Sequence, residues 1–176
     1  MTEEFYTKKQ VIFPGLVVRI VTGMLDFMIV SIIASPILKI MILSLFKFHF
    51  ADFIEANSLI VSAPEDIQIV ITHDKFREYL TANSYSIYFI EMIFVQFFLF
   101  GIYFIFSWWK FGTTFIKYIF KMKVIDYKTQ NKPSFKACVI RYISYLFLFI
   151  SAFFIVFRKD KRAIHDILSG TIVIKS

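Results

Sequence analysis

Residues 85–110 read YSIYFIEMIFVQFFLFGIYFIFSWWK, and this stretch decides the fold. Only Glu91 and Gln96 interrupt about 25 residues that are otherwise apolar, aromatic or small, a length that crosses a bilayer core of about 30 Å at about 1.5 Å per residue. It closes on Trp108-Trp109-Lys110, aromatic residues and then a cation, as at the cytoplasmic end of a membrane helix. A protein built around such a segment should be apolar throughout, and the composition agrees. Of 176 residues, 58% are hydrophobic, 20% aromatic and 19% charged, against about 45–50% apolar and about 25% charged in a soluble domain. A chain this small, folded in water, would expose many of its 24 Phe and 9 Tyr. The hydrophobicity excludes intrinsic disorder, and a lone cysteine, Cys138, excludes an intrachain disulfide scaffold.

The net charge is +7 and the pI near 9.4, values that in a soluble protein would suggest nucleic acid. Position argues otherwise. Lys110, Lys117, Lys121, Lys123, Lys128, Lys132 and Lys136 fall together in residues 110–138, and Arg158, Lys159, Lys161 and Arg162 follow the last apolar run. In residues 47–84 the balance reverses, with Asp52, Glu55, Glu65, Asp66, Asp74 and Glu78 outnumbering Lys47, Lys75 and Arg77. Charge sorted by loop is the positive-inside pattern, so the expected partner is a bilayer with anionic headgroups at the basic segments, and no nucleic acid.

Residues 1–13 form a short polar terminus whose Lys8 and Lys9 suit the cytoplasmic side, expected at a bacterial-type plasma membrane. The first apolar run, residues 16–38, is too long for a signal-peptide core and is expected to remain as a span. Pro36 cannot donate to the Ile32 carbonyl, which predicts a kink, with residues 39–50 leaving along the outer interface. The outer loop, residues 47–84, is expected to hold a β-hairpin of Leu59-Ile-Val-Ser62 and Ile67-Gln-Ile-Val-Ile-Thr72 around Ala63-Pro64-Glu65-Asp66, then a short helix over 73–80. The second span covers residues 85–109. Residues 111–123 set Phe115, Ile119 and Met122 on one face and Lys117 and Lys121 on another, which predicts an interfacial amphipathic helix. Ser134 is placed to cap the helix after it.

Residues 139–157 are just long enough to cross, but three crossings from an inside N-terminus would put Arg158-Lys-Asp-Lys-Arg162 outside. The run either crosses against the charge rule or re-enters and returns. Return is favoured by Gly170-Thr-Ile-Val-Ile174, a strand whose natural partner is Met122-Lys-Val-Ile-Asp126. The expected fold is therefore an all-α membrane protein. It has two transmembrane helices, a third spanning or re-entrant helical segment, an interfacial amphipathic helix, and small β elements in the outer loop and at the C-terminus.

Asp26 falls about ten residues into the first span, roughly 15 Å deep, where a carboxylate costs about 2.5–3.5 kcal/mol on insertion scales. It needs a partner, a proton or a water-filled pocket. Arg19 shares its helix face but leans toward the headgroups, so a bridging water or Arg141 from the third run is the easier partner. Gln96 lies at matching depth on the second span. Glu91, nearer the outer side, is neutral or paired with Lys39, and Asp166 beside His165 caps backbone donors or pairs with Arg162. His49 and His73 lack ligand spacing, so no metal is expected. Cys138 lacks a paired histidine, and there is no phosphate loop, nucleophile elbow or HExxH pattern, so neither a catalytic residue nor a cofactor is expected.

Arg19-Ile-Val-Thr-Gly-Met-Leu-Asp26 resembles the Arg and first Asp that name the RDD family of membrane proteins. Gly112-Thr-Thr-Phe-Ile-Lys117, Lys123-Val-Ile-Asp126 and Ala137-Cys-Val-Ile-Arg141 resemble its later segments. Lys161-Arg-Ala-Ile-His-Asp-Ile-Leu-Ser-Gly-Thr-Ile-Val-Ile174 resembles its closing motif, with the second family Asp at Asp166. Phe115 stands where a second glycine is usual, and Ser169 where alanine is usual. The resemblance covers residues 14–174 and implies a single membrane domain. It also implies transport as one activity, since some members are described as sodium/proton antiporters. Two readings follow for the set Arg19, Asp26, Gln96, Arg141 and Asp166, with Glu91, Lys39 and His165 secondary. Either Asp26 binds a proton or small cation, tuned by Arg19 and Arg141, or the charges hold helices together in a structural, lipid-binding or accessory protein that is not an enzyme. Three short spans hardly enclose a pathway, so a homo-oligomer is expected in both.

Overall fold

A computed structural model describes residues 12–82, 86–147 and 162–175. It is mostly helical, and among the described residues two helices, α1 (Leu16–His49) and α5 (Ser86–Phe111), are long and apolar enough to cross a membrane. α1 runs through Pro36 for 34 residues, about 51 Å of helix at about 1.5 Å per residue. The Ser35 hydroxyl donates to the Ile32 carbonyl at 3.0 Å, supplying the hydrogen bond that Pro36 cannot make.

The chain divides into two compact units, residues 31–100 and the described parts of 1–30 and 101–176. In residues 31–100, the second half of α1 leads to α2 (Ala51–Ala56), a 3-10 turn (Pro64–Asp66), α3 (Ile67–Ile71), α4 (Phe76–Ala82) and the first part of α5. Phe46, Phe50, Phe53, Val70, Phe76 and Tyr88 form its core. Phe50 and Phe53 meet the Phe76 ring edge-on at 5.3 and 5.2 Å.

The outer-loop hairpin is overturned, because its second strand is the helix α3. Pro64 opens the turn with a preset φ, and Asp66 Oδ2 accepts from the Ser62 and Ala63 amides at 2.7 and 2.8 Å. The chain enters Ile67 already wound, and Val70 is buried. A short apolar run such as Ile67-Gln-Ile-Val-Ile fits strand or helix equally, and the start signal decides. The helix expected over 73–80 forms slightly later, as α4. Glu91 pairs with His49 at 2.7 Å and not with Lys39, which lies 3.6 Å from Glu65, both ends exposed.

In the other unit, α5 stops at Gly112, whose φ of +70° suits a residue without Cβ. Its N–H donates to the Trp108 carbonyl at 2.9 Å, and its carbonyl accepts from the Val124 amide at 2.7 Å. There follow α6 (Phe115–Ile119), β1 (Met122–Asp126), α7 (Phe135–Ile143) with a 3-10 turn (Ser144–Phe147), α8 (Ile164–Leu168) and β2 (Thr171–Lys175). β1 and β2 pair antiparallel with Val124 opposite Val173, the pairing the sequence suggested. Ser134 caps α7 as expected, its hydroxyl accepting from the Ala137 amide at 3.2 Å. Gly101 of α5 lets the Tyr142 ring of α7 close in, for a Cβ there would stand 2.9 Å from Tyr142 Cε1.

The long amphipathic helix over 111–123 is replaced by the five-residue α6, with Met122 buried in β1. Lys117, assigned to its polar face, is buried instead. Of the run 139–157, residues up to Phe147 are helical or 3-10, and the remainder lies outside the described residues, as does the basic cluster up to Lys161.

A candidate functional site on two buried carboxylates

Asp26 and Asp166 are both fully buried, and each collects donors from distant parts of the chain. Burying an isolated carboxylate costs several kcal/mol even after relaxation, so each position demands a dedicated set of partners.

Asp26, on α1, is answered by α6. Thr114 occupies the N-cap position with extended backbone, yet its hydroxyl does not cap the helix. It donates to Asp26 Oδ2 at 2.5 Å, while the Ile116 amide, one of the donors left over at a helix start, donates to Asp26 Oδ1 at 3.0 Å. Lys117, one turn beyond Thr114, completes the set with Nζ 2.8 Å from Oδ2. A carboxylate from α1 thus serves as cap and counter-ion for α6 together.

Asp166, on α8, ties four segments. Its Oδ2 accepts from Arg19 Nη1 of α1 at 2.7 Å and from the Ala163 amide at 3.1 Å, which caps α8. Its Oδ1 accepts from Arg141 Nη1 of α7 in a short contact, and that nitrogen also reaches Thr171 Oγ1 of β2 at 2.6 Å. Arg19 donates further to the Val173 carbonyl of β2 and to the Pro14 carbonyl, each at 3.2 Å. The Arg141 guanidinium lies over the Trp108 ring at 5.2 Å. Arg162 packs over Tyr127 at 4.1 Å and donates to the Asp166 carbonyl at 3.2 Å.

Burial works to raise the Asp166 carboxyl, but the guanidinium charges of Arg141 and Arg19 and the Ala163 amide overcome it and hold the group well below the usual carboxylate range. Burial pushes the neighbouring His165 imidazole down to about 3, the nearby cations acting in the same direction against Asp166. His165 is therefore neutral at pH 7, and its 3.8 Å approach to Asp166 is a contact between a neutral ring and an anion. Two guanidiniums share one carboxylate. The Cys138 thiol, pushed up to about 11 by burial, has little nucleophilic character. Among the described residues no group of three His, Cys, Asp or Glu side chains is placed to hold a metal ion.

The single polar cluster drawn from the sequence is thus two. Arg19, Arg141 and Asp166 do come together, but Asp26 joins neither arginine. Gln96 is exposed and belongs to the other unit. Asp166 does cap its own helix. Thr114, Lys117 and Thr171 were not singled out as site residues. Thr114-x-x-Lys117 puts two polar side chains on one side of a turn, a signal hidden by assigning Lys117 to a solvated face.

The profile of the RDD family matches residues 13–170. A protein of Rickettsia prowazekii (strain Madrid E), itself described as uncharacterized, is 33% identical over 172 residues, 96% of this chain and 99% of its own length. No solved structure matches the chain.

Proposed function

This chain belongs to the RDD family of membrane proteins, and we propose that its signature charges are clamps fastening the start of the first membrane helix to the C-terminal segments of a non-enzymatic accessory or scaffolding protein. One observation carries the reading. Both oxygens of Asp26 and both oxygens of Asp166 are already engaged by donors of the same chain. A charge so satisfied fixes geometry, and removing one member leaves its partners buried and unmet. The same reading keeps the N-terminus and the basic segments at the inner face of the plasma membrane and takes the working form to be a homo-oligomer. Asp26→Asn and Arg19→Ala are expected to lower the folded yield in membranes while leaving ion flux through reconstituted liposomes unchanged. Normal yield and assembly of both variants would overturn it.

A second reading is favoured by one feature of the Asp26 set. Its counter-charge is the single amine of Lys117, 2.8 Å away, and a small cation or proton that took the carboxylate would release that amine. Transport by exchange at Asp26 then predicts cation-driven proton movement in liposomes, abolished in a folded Asp26→Asn protein. Silence of wild-type liposomes would end this reading without touching the first.

A further inference from the structure

α6 is built inside out. Ile116 and Lys117 are buried, whereas Phe115, Tyr118 and Ile119, at the i, i+3 and i+4 positions of one helix face, are 58%, 69% and 57% exposed. Phe111 and Phe120 on either side are exposed as well. A helix packed against a protein in water turns its charges out and its apolar stripe in. Here the lysine is spent inward on Asp26, and an aromatic face is left outside, which marks surroundings less polar than water.

The charge around this face is of one sign. Lys110, Lys121, Lys123, Lys128, Lys132 and Lys136 are exposed, and Asp126 is the one acid in residues 110–138. Asp126 Oδ1 is held in its own turn, accepting from the Lys128 and Thr129 amides at 3.0 and 2.8 Å and the Thr129 hydroxyl at 3.1 Å. Lys123 points outward from β1 between the buried Met122 and Val124, and exposed Lys175 ends β2 opposite Met122. We propose that α6 is an interfacial wedge: Phe115, Tyr118 and Ile119 lie among acyl chains near the leaflet surface, and Lys121, Lys123 and Lys128 engage the headgroups of anionic phospholipids. Aromatic rings beside lysines suit this position, since the rings take the apolar side of the interface and the ammonium groups the phosphate side.

Trp109 makes the contact measurable, being 46% exposed beside this segment while Trp108 is wholly buried. The full-length protein is reconstituted in vesicles of phosphatidylcholine and phosphatidylglycerol, with bromine on the chains of one lipid or the other. Brominated phosphatidylglycerol should quench Trp109 beyond its mole fraction, with a preference of about fivefold for each lysine within headgroup reach, weakened by salt. The preference should fall by about fivefold for each of the three lysines removed in Lys121→Gln/Lys123→Gln/Lys128→Gln. Equal quenching by both lipids in the wild type, or an undiminished preference in the triple variant, overturns the proposal. A nitroxide on Tyr118→Cys provides a second readout. The Cys138 thiol is buried and stays unlabelled under mild conditions. The label should be relaxed by oxygen in the lipid and shielded from a water-soluble nickel chelate, and the opposite pattern refutes the wedge even if the lysine variants fail to fold.

Discussion

Removing Lys117 alone should damage the protein more than removing it together with Asp26. In Lys117→Met the Asp26 carboxylate keeps the Thr114 hydroxyl and the Ile116 amide but loses the ammonium 2.8 Å away. Stripping one partner from a buried ion pair costs about 3–5 kcal/mol. Asp26→Leu strands three donors, one of them charged, at about 1–3 kcal/mol for each unmade bond, so its loss should equal or exceed that of Lys117→Met. Asp26→Leu/Lys117→Met leaves two neutral donors unmet at about 1–3 kcal/mol each, and the apolar contact it creates offsets part of that, for a net loss of about 1–3 kcal/mol. The coupling between the two positions is then about 3 kcal/mol or more, well above the roughly 0.6 kcal/mol typical of polar contacts between membrane helices. The cycle is read from reversible unfolding in mixed micelles, followed by tryptophan fluorescence. Single losses below about 1 kcal/mol that simply add would refute the clamp, because a satisfied buried pair cannot be dismantled one charge at a time without penalty.

Four further outcomes follow from the geometry. His165 is neutral in the folded protein down to about pH 3, while an unfolded histidine protonates near about 6.5. The unfolded state therefore binds more protons between these values, and stability should fall as pH drops through the window, with a smaller slope in His165→Phe, whose ring can keep the edge-on contact with Tyr145. The depressed Asp166 carboxyl adds stability that is complete above about pH 4 and is lost on further acidification. Ser35→Ala should cost about 1 kcal/mol by leaving the Ile32 carbonyl without its donor, and Ser35→Ala/Pro36→Ala should recover the loss; equal thermal midpoints for Ser35→Ala and wild type would contradict the repair. Gly101→Ala should lower the unfolding free energy by about 1–3 kcal/mol, read from the same micelle unfolding, because the new methyl meets the edge of an aromatic ring that cannot fold away.

The parts of this structure that sequence reveals are those set by local rules. The apolar lengths of α1 and α5, the cap at Ser134 and the β-prone runs that became β1 and β2 can all be read within a window of a few residues. Local rules failed where two of them competed. Ile67-Gln-Ile alternates like a strand, although Pro64 and Asp66 have already started a helix. The site was legible by residue type and not by pairing. A charge inside a span announces that it needs a partner, and Arg19, Asp26 and Arg141 were marked on that ground, whereas Asp166 was marked by the resemblance of the closing motif. Which partner each obtains depends on contacts between residues 91 and 147 positions apart, and nothing near Asp26 in the chain points to Lys117. The inward turn of Lys117 also explains why α6 was misread, since hydrophobic periodicity assumes that the apolar face is the hidden one.

Those same separations give the protein a timetable during its synthesis. Asp26 is made 91 residues before Lys117, and Arg19 is made 147 residues before Asp166. At about 5–20 residues per second, the first helix waits roughly 5–20 s for one neutralising charge and roughly 7–30 s for the other. Throughout that interval the nascent chain carries a membrane helix whose charges have no permanent partner, and it depends on water, lipid headgroups or the insertion machinery to shelter them.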